Sequence, residues 1–301
     1  MVRNVVLSTE ELRALVEGHH AVAEPSAVFH LHGIGAISCL QGLFTNDVAK
    51  IAVDGLIWGA FLTPKGMIIS DAWIRRDGDV AAWVVVPAHM GDEIRALLAR
   101  TIPPRLARVT EVTNTTTVRW LIGADAALPH EGGLVLPSGS APFRALLLSP
   151  DAADVIDARL TSAGWLAAPA PWVAAARLLA GWPAVGHEID EKTLPQEVDF
   201  DRLGGVRYDK GCYTGQETVA RLHFRGHANR VLRGLRWEGE VGPAGPAGPA
   251  GPEVTAEGKA VGTIRTLGQC GPRCLALALL RREVEPGSVV MAGGAAAAVV
   301  E

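Results

Sequence analysis

Residues 57–86 carry three apolar runs separated by two tight turns, and this spacing constrains the fold more than any other stretch. Ile57 to Leu62 is followed by Pro64-Lys65-Gly66 and then by Met67 to Ile74. Proline fixes one backbone angle and glycine reaches conformations closed to other residues. The triplet therefore predicts a turn, and the flanking runs a hairpin. Asp77-Gly78-Asp79 turns the chain again into Val80 to Val86. Strands joined this closely must run antiparallel, because a parallel crossover needs a dozen or more residues.

The flanking text adds helices. Ser8-Thr9 followed by Glu10-Glu11 predicts a capped helix ending near Gly18. Residues 27–31 alternate as a strand does. Met90, Ile94, Leu97 and Leu98 fall at helical spacing within 88–100, and strands are predicted over 108–112 and 116–122. Two more helices are predicted, over 151–162 closed by Gly164 and over 170–179 ending at Gly181. Strand, hairpin, strand, helix, strand is the texture of an α+β protein with antiparallel sheets, not of a repeating parallel unit. No Gly-rich phosphate fingerprint follows a strand, which argues against a dinucleotide or Walker-type site.

Beyond residue 229 the text changes to short strands with glycine turns: 231–240, 260–266, 275–281, 288–291 and 295–300. That pattern suits a small β-barrel. The Gly-Pro-Ala triplets of 242–252 are too few for a triple helix and predict a surface loop between two strands of that barrel.

Bulk properties bound the function. A chain of 301 residues with 49% hydrophobic content can fill two domains or a three-lobed body. A net charge of −4 argues against wholesale electrostatic binding of nucleic acid. Arg221, Arg225, Arg230, Arg233 and Arg236 make 221–236 locally basic, either as a solvated face or as a landing strip for an anionic ligand. Four cysteines are too few for a disulfide scaffold. Cys270 and Cys274 have the spacing of half a zinc site, but no second pair accompanies them, and no metal is expected. The start of the chain lacks a secretory pattern, and no run of about 20 uncharged apolar residues occurs, so no membrane span is expected. A reducing, cytoplasmic location follows as the expectation.

Residues 210–217 read Lys-Gly-Cys-Tyr-Thr-Gly-Gln-Glu. Thr214 and Glu217 have the spacing of a capping box, which predicts a helix start there. Cys212 then sits just before a helix N-terminus and near Lys210, and both favour the reactive thiolate. Gly211 and Gly215 allow a sharp turn or close approach to a ligand. A tight loop holding an inert, packed thiol is the alternative.

This octapeptide resembles the signature of the YgfZ-type folate-binding proteins, relatives of the T-protein (aminomethyltransferase) of the glycine cleavage system. Other segments agree in order: Leu40-Gln41-Gly42-Leu43-Phe44-Thr45-Asn46-Asp47-Val48, the hairpin from Leu62 to Asp71, and Gly186 to Glu197. The T-protein has paired aspartates where this chain has Ser70-Asp71, and it lacks the Lys-Gly-Cys-Tyr loop. Both departures favour the YgfZ branch over aminomethyl transfer.

The resemblance implies a T-protein-like fold, with a folate-binding core of residues 1–228 (inner lobe about 51–117) and a C-terminal barrel of residues 229–301. It implies tetrahydrofolate in a central cavity, with Glu197 on the pterin. Arg221 and Arg230 are candidates for the folate carboxylates on charge and placement. Gly211, Gln216, Glu217 and Asn46, with Lys65 behind them, complete the candidate binding set. Cys212, Lys210 and Asp71 are the candidate reactive groups. Three functions remain open. The first is an accessory factor in iron–sulfur cluster assembly or repair, with iron–sulfur clients or carriers as partners. The second is a folate-dependent aminomethyl or one-carbon transferase. The third is a folate-binding scaffold without chemistry.

Overall fold

The computed structural model describes residues 2–53, 55–123, 143–239 and 253–300. The Gly-Pro-Ala triplets lie outside the described residues. Six α-helices occur among those described: α1 (Thr9–Glu17), α2 (Ala36–Gln41), α3 (Gly91–Thr101), α4 (Ala153–Ser162), α5 (Pro171–Ala180) and α6 (Gln216–Arg225). The start of α1 is a full capping box, in which Ser8 and Glu11 each accept the other's backbone N–H.

Three sheets carry these helices. The predicted meander forms a five-stranded antiparallel sheet in the order Leu56–Leu62, Ile68–Arg76, Ala81–Pro87, Ser26–His32, Arg108–Glu111. Its first strand reads as continuous hydrocarbon because both of its faces are buried. Trp58, Ala60 and Leu62 face the central core, whereas Phe61 packs beneath α2 and α3 with Phe29, Phe44 and Ile94. A four-stranded sheet runs Leu166–Ala168, His19–Val22, Thr117–Gly123, Phe143–Ser149, its first pair parallel.

The third sheet closes on itself. Six strands, Arg230–Glu238, Glu253–Ala256, Lys259–Cys270, Arg273–Arg281, Val289–Ala292 and Ala295–Val300, form a barrel. The strand predicted over 260–266 runs from Lys259 to Cys270 and is preceded by a separate strand, Glu253–Ala256, the two joined at Glu257 and Gly258, both with positive φ. A seventh strand joins from the far end of the chain: Arg3–Val6 pairs in parallel with Thr266–Gln269.

Helix α5 lies where the parts meet. Trp172, Val173, Ala174, Ala175, Ala176 and Leu178 are all buried, and the central core around them holds Trp58, Trp73, Trp120 and Trp182. A helix apolar on nearly every side is one enclosed by its neighbours.

Candidate functional site

Alternation along Ile68–Arg76 places Asp71 on the same face as Trp73, toward the central core. Asp71 is 2% exposed. Its Oδ2 accepts the Trp58 indole N–H at 3.1 Å, while Oδ1 has no hydrogen-bond partner. Burial pushes this carboxyl above its usual range, and the Arg177 guanidinium offsets part of the effect. Ser70, its neighbour in the chain, is buried and donates its hydroxyl to the Asp71 carbonyl.

Around Asp71 stands an aromatic wall. The Trp58 ring lies 4.6 Å from Trp182 and 4.1 Å from Phe200, centroid to centroid, and Trp73 stacks on Trp182 at 5.9 Å. Arg177 is the one charged residue of α5 and is buried. It donates to the Pro183 carbonyl at 3.1 Å, sits 3.7 Å from Glu24, and lies 5.1 Å over the Trp120 ring. Its Nε has no hydrogen-bond partner. A buried, unpaired polar atom costs stability unless something meets it. The sequence signal for this group is a lone arginine in the run Trp172 to Ala180, which the apolar pattern around it hides.

Two buried glutamates fix the segment 184–198. Glu188 accepts the Ala184 N–H at 3.0 Å and the Thr266 hydroxyl, which ties the segment to the barrel. Burial raises its carboxyl. Glu197 is 5% exposed and takes a two-point bond from Arg230, with Nε to Oε1 at 2.8 Å and Nη2 to Oε2 at 3.2 Å. It also accepts the Leu194 N–H at 3.0 Å. Thus the expected pterin acid and one expected carboxylate receptor are brought together and satisfy each other. His187, next to Glu188 in the chain, is held neutral: burial and the nearby cations Arg3 and Arg177 lower it to about 4.

The loop 210–217 has an order of its own. Cys212 is exposed. Helix α6 begins at Gln216, and its N-cap is Gly215 with φ 82°, so the capping box expected at Thr214 and Glu217 does not form. The Thr214 N–H goes instead to the Gly42 carbonyl at 3.1 Å. Gly215 presses on the hairpin turn: a Cβ there would lie 2.6 Å from the Thr63 carbonyl. Gln216 accepts the Tyr213 N–H at 3.3 Å. The Lys210 ammonium is turned inward and donates to the carbonyls of Gln41, Phe44 and Asn46 at 2.8, 2.6 and 2.8 Å.

The other candidates divide between frame and surface. Asn46 is buried and fully engaged: Nδ2 donates to the Trp58 and Gly204 carbonyls at 2.8 Å, and Oδ1 accepts the Asp47 N–H. Gly211, Glu217 and Arg221 are exposed. No hydrogen bond or ion pair among the described residues links Cys212 to Asp71, Glu197 or Arg230. All four cysteines are free, and no cluster of three His, Cys, Asp or Glu among the described residues is arranged to hold a metal ion. No helix among them is long and apolar enough to cross a membrane.

Known proteins resemble this chain in sequence and in fold. The family model described as the GCVT N-terminal domain matches residues 13–128. The tRNA-modifying protein YgfZ of Escherichia coli strain K12 is 28% identical over 222 residues, covering 68% of each chain, and the protein of the same name from Shigella flexneri matches equally. The crystal structure of the glycine cleavage system aminomethyltransferase T from Bartonella henselae superposes with a TM-score of 0.74 at 15% identity, over 95% of this chain and 85% of that one. The fold is therefore that of the T-protein, with its helices, antiparallel sheets and C-terminal barrel.

Proposed function

We propose that this chain, a YgfZ-type relative of the glycine cleavage aminomethyltransferases, is a folate-binding accessory factor in iron–sulfur cluster assembly or repair. The observation that carries this reading is Cys212, an exposed thiol on a loop pinned by backbone and side-chain bonds. Common iron–sulfur clusters take four thiolates, so one cysteine holds a cluster or iron only together with a partner protein. Thiol exchange with such a partner is the chemistry open to a single accessible sulfur. The relatives are named as tRNA-modifying proteins. A helper of this kind would reach tRNA through client enzymes, which suits a chain of net charge −4.

The residues fit a reduced folate. Glu197 would accept N–H bonds from the pterin, and Arg230 offers a planar fork to a carboxylate. Because these two are paired in the free protein, a ligand that uses both must exchange with an existing ion pair. Asp71 Oδ1 and Arg177 Nε are buried polar atoms that a polar ligand would satisfy. Tetrahydrofolate, when bound, supplies a carrier for one-carbon groups. We assign most of the ligand site to residues 1–228, with Arg230 contributed by the barrel of residues 229–301 and Arg3–Val6 reaching across to that barrel.

A second reading, aminomethyl or one-carbon transfer, draws on the raised carboxyl of Asp71, which suits proton transfer at a folate nitrogen. The experiment measures tetrahydrofolate binding by calorimetry for wild type and Cys212→Ala, and iron–sulfur enzyme activity in cells dependent on each. Equal binding with loss of client activity supports the helper. Turnover of tetrahydrofolate with a methylamine donor, lost in Asp71→Asn, supports the transferase. Absence of binding at high ligand concentration removes both.

A further inference from the structure

Lys210 stands two residues before the thiol, where a cation is expected to stabilise a thiolate. Its ammonium is instead spent elsewhere. Three carbonyl oxygens, from Gln41, Phe44 and Asn46, receive it at 2.6 to 2.8 Å. An ammonium has three N–H donors, so this set exhausts them. Gln41 is the last residue of α2, where carbonyls lack intrahelical partners. Phe44 and Asn46 follow in the segment between α2 and Leu56–Leu62, the first strand of the five-stranded sheet. The Tyr213 ring covers the ammonium, with Nζ 4.9 Å from its centroid.

We propose that Lys210 is a positioning residue, a cationic plug in a three-carbonyl cage, and that this plug fixes the loop on which Cys212 stands. Its bearing on function rests on the Cys212 reading above; the clamp itself does not. Both ends of the loop are tied to the same turn, Lys210 to the carbonyls of 41, 44 and 46 and Thr214 to the Gly42 carbonyl. Cys212 lies between these two ties. Loss of the first leaves the loop held from one side.

The cage holds an ammonium, not an amine. A neutral amine has two donors and loses the charge-assisted part of each bond. Burial lowers Lys210 to about 8, while the Asp47 carboxylate opposes the shift. Asp47 is itself paired with Lys50, which also reaches Asp209, and Tyr213 is neutral here because burial raises its phenol. The plug therefore loosens as pH rises past about 8.

Hydrogen exchange at the Thr214 amide of the full chain tests this, with Cys212 alkylation by iodoacetamide followed alongside. In Lys210→Ala at pH 7 the Thr214 amide should exchange about tenfold faster or more, the scale of losing charged hydrogen bonds. Methylammonium, which fits the emptied cage, should restore protection; Lys210→Arg, whose planar fork does not converge three donors, should behave like Lys210→Ala. The pH dependence of alkylation should keep its midpoint in Lys210→Ala. A raised midpoint with Thr214 protection intact would overturn the proposal in favour of direct thiol activation. Unchanged exchange in Lys210→Ala would also overturn it. Should that variant fail to fold, wild type gives the answer alone. Thr214 protection, corrected for intrinsic exchange, should fall above pH 8 while that of Ala72 in the five-stranded sheet holds; a parallel loss at both refutes the clamp. None of these readouts uses folate or a client, so a failed clamp and a failed function are told apart.

Discussion

Glu197 and Arg230 close a two-point ion pair, 2.8 and 3.2 Å, between the 3-10 turn Pro195–Val198 and the first strand of the barrel. The acid is buried and the Arg230 side chain is 39% exposed, so the pair is neither a surface contact nor a fully desolvated ion pair. Arg230→Met leaves a buried carboxylate with only the Leu194 N–H, and should cost about 1–3 kcal/mol in urea unfolding. Glu197→Gln keeps an acceptor and should cost less. The double variant Glu197→Met/Arg230→Met should recover part of the loss; full additivity would mean that the two groups do not interact.

His187 predicts a pH dependence of stability. A base whose folded value is depressed binds fewer protons folded than unfolded. Its contribution is full above its ordinary value of 6.5 and is lost as pH falls toward about 4. The urea midpoint of wild type should decline across that window, and His187→Gln should decline less. Asp71 and Glu188, acids with raised folded values, act oppositely: their contribution is present below the usual carboxylate range and lost as pH rises. The difference between wild type and His187→Gln isolates the histidine from them.

The two glycines of the cysteine loop should respond unequally. Gly215 has φ 82°, and a Cβ there would meet the Thr63 carbonyl at 2.6 Å and Gly66 Cα at 3.0 Å. Gly215→Ala combines a left-handed backbone penalty with a backbone collision and should cost about 2–4 kcal/mol in thermal or urea unfolding. A Cβ on Gly211 meets nothing within 4 Å. Gly211→Ala should stay within about 0.5 kcal/mol of wild type. Equal effects would mean that the loop does not dock as described.

Local pattern made much of this fold legible. The meander, α1 and the strands of the barrel were announced by turn residues and apolar spacing, because each is stabilised by near neighbours in the chain. What remained hidden depends on distant partners. Arg3–Val6 finds its partner in Thr266–Gln269, at the other end of the sequence. Thr214 looked like a cap, but its N–H is claimed by Gly42 and the turn falls to Gly215. Lys210 looked like a neighbour of the thiol, yet its donors go to carbonyls 164 to 169 residues earlier. Asn46 and Glu197 were legible as polar residues worth noting, but nothing local says that one is a frame for the backbone and the other is paired with Arg230.

Cys212 and Cys274 should part company on contact with an alkylating reagent. Cys212 is exposed and has no hydrogen-bond partner among the described residues. Cys274 is 1% exposed inside the barrel, its sulfur 3.3 Å from the Gly239 carbonyl, and burial raises its thiol. Alkylation needs both access and thiolate, and Cys274 lacks each. Under native conditions iodoacetamide should label Cys212 rapidly and Cys274 only on unfolding, as read by mass spectrometry of the peptides. For the same reason Cys212→Ser removes no packed atom and should leave unfolding within about 0.5 kcal/mol of wild type. A large stability loss in Cys212→Ser would mean that the sulfur is a structural group, and the accessory function proposed for it would then lose its working residue.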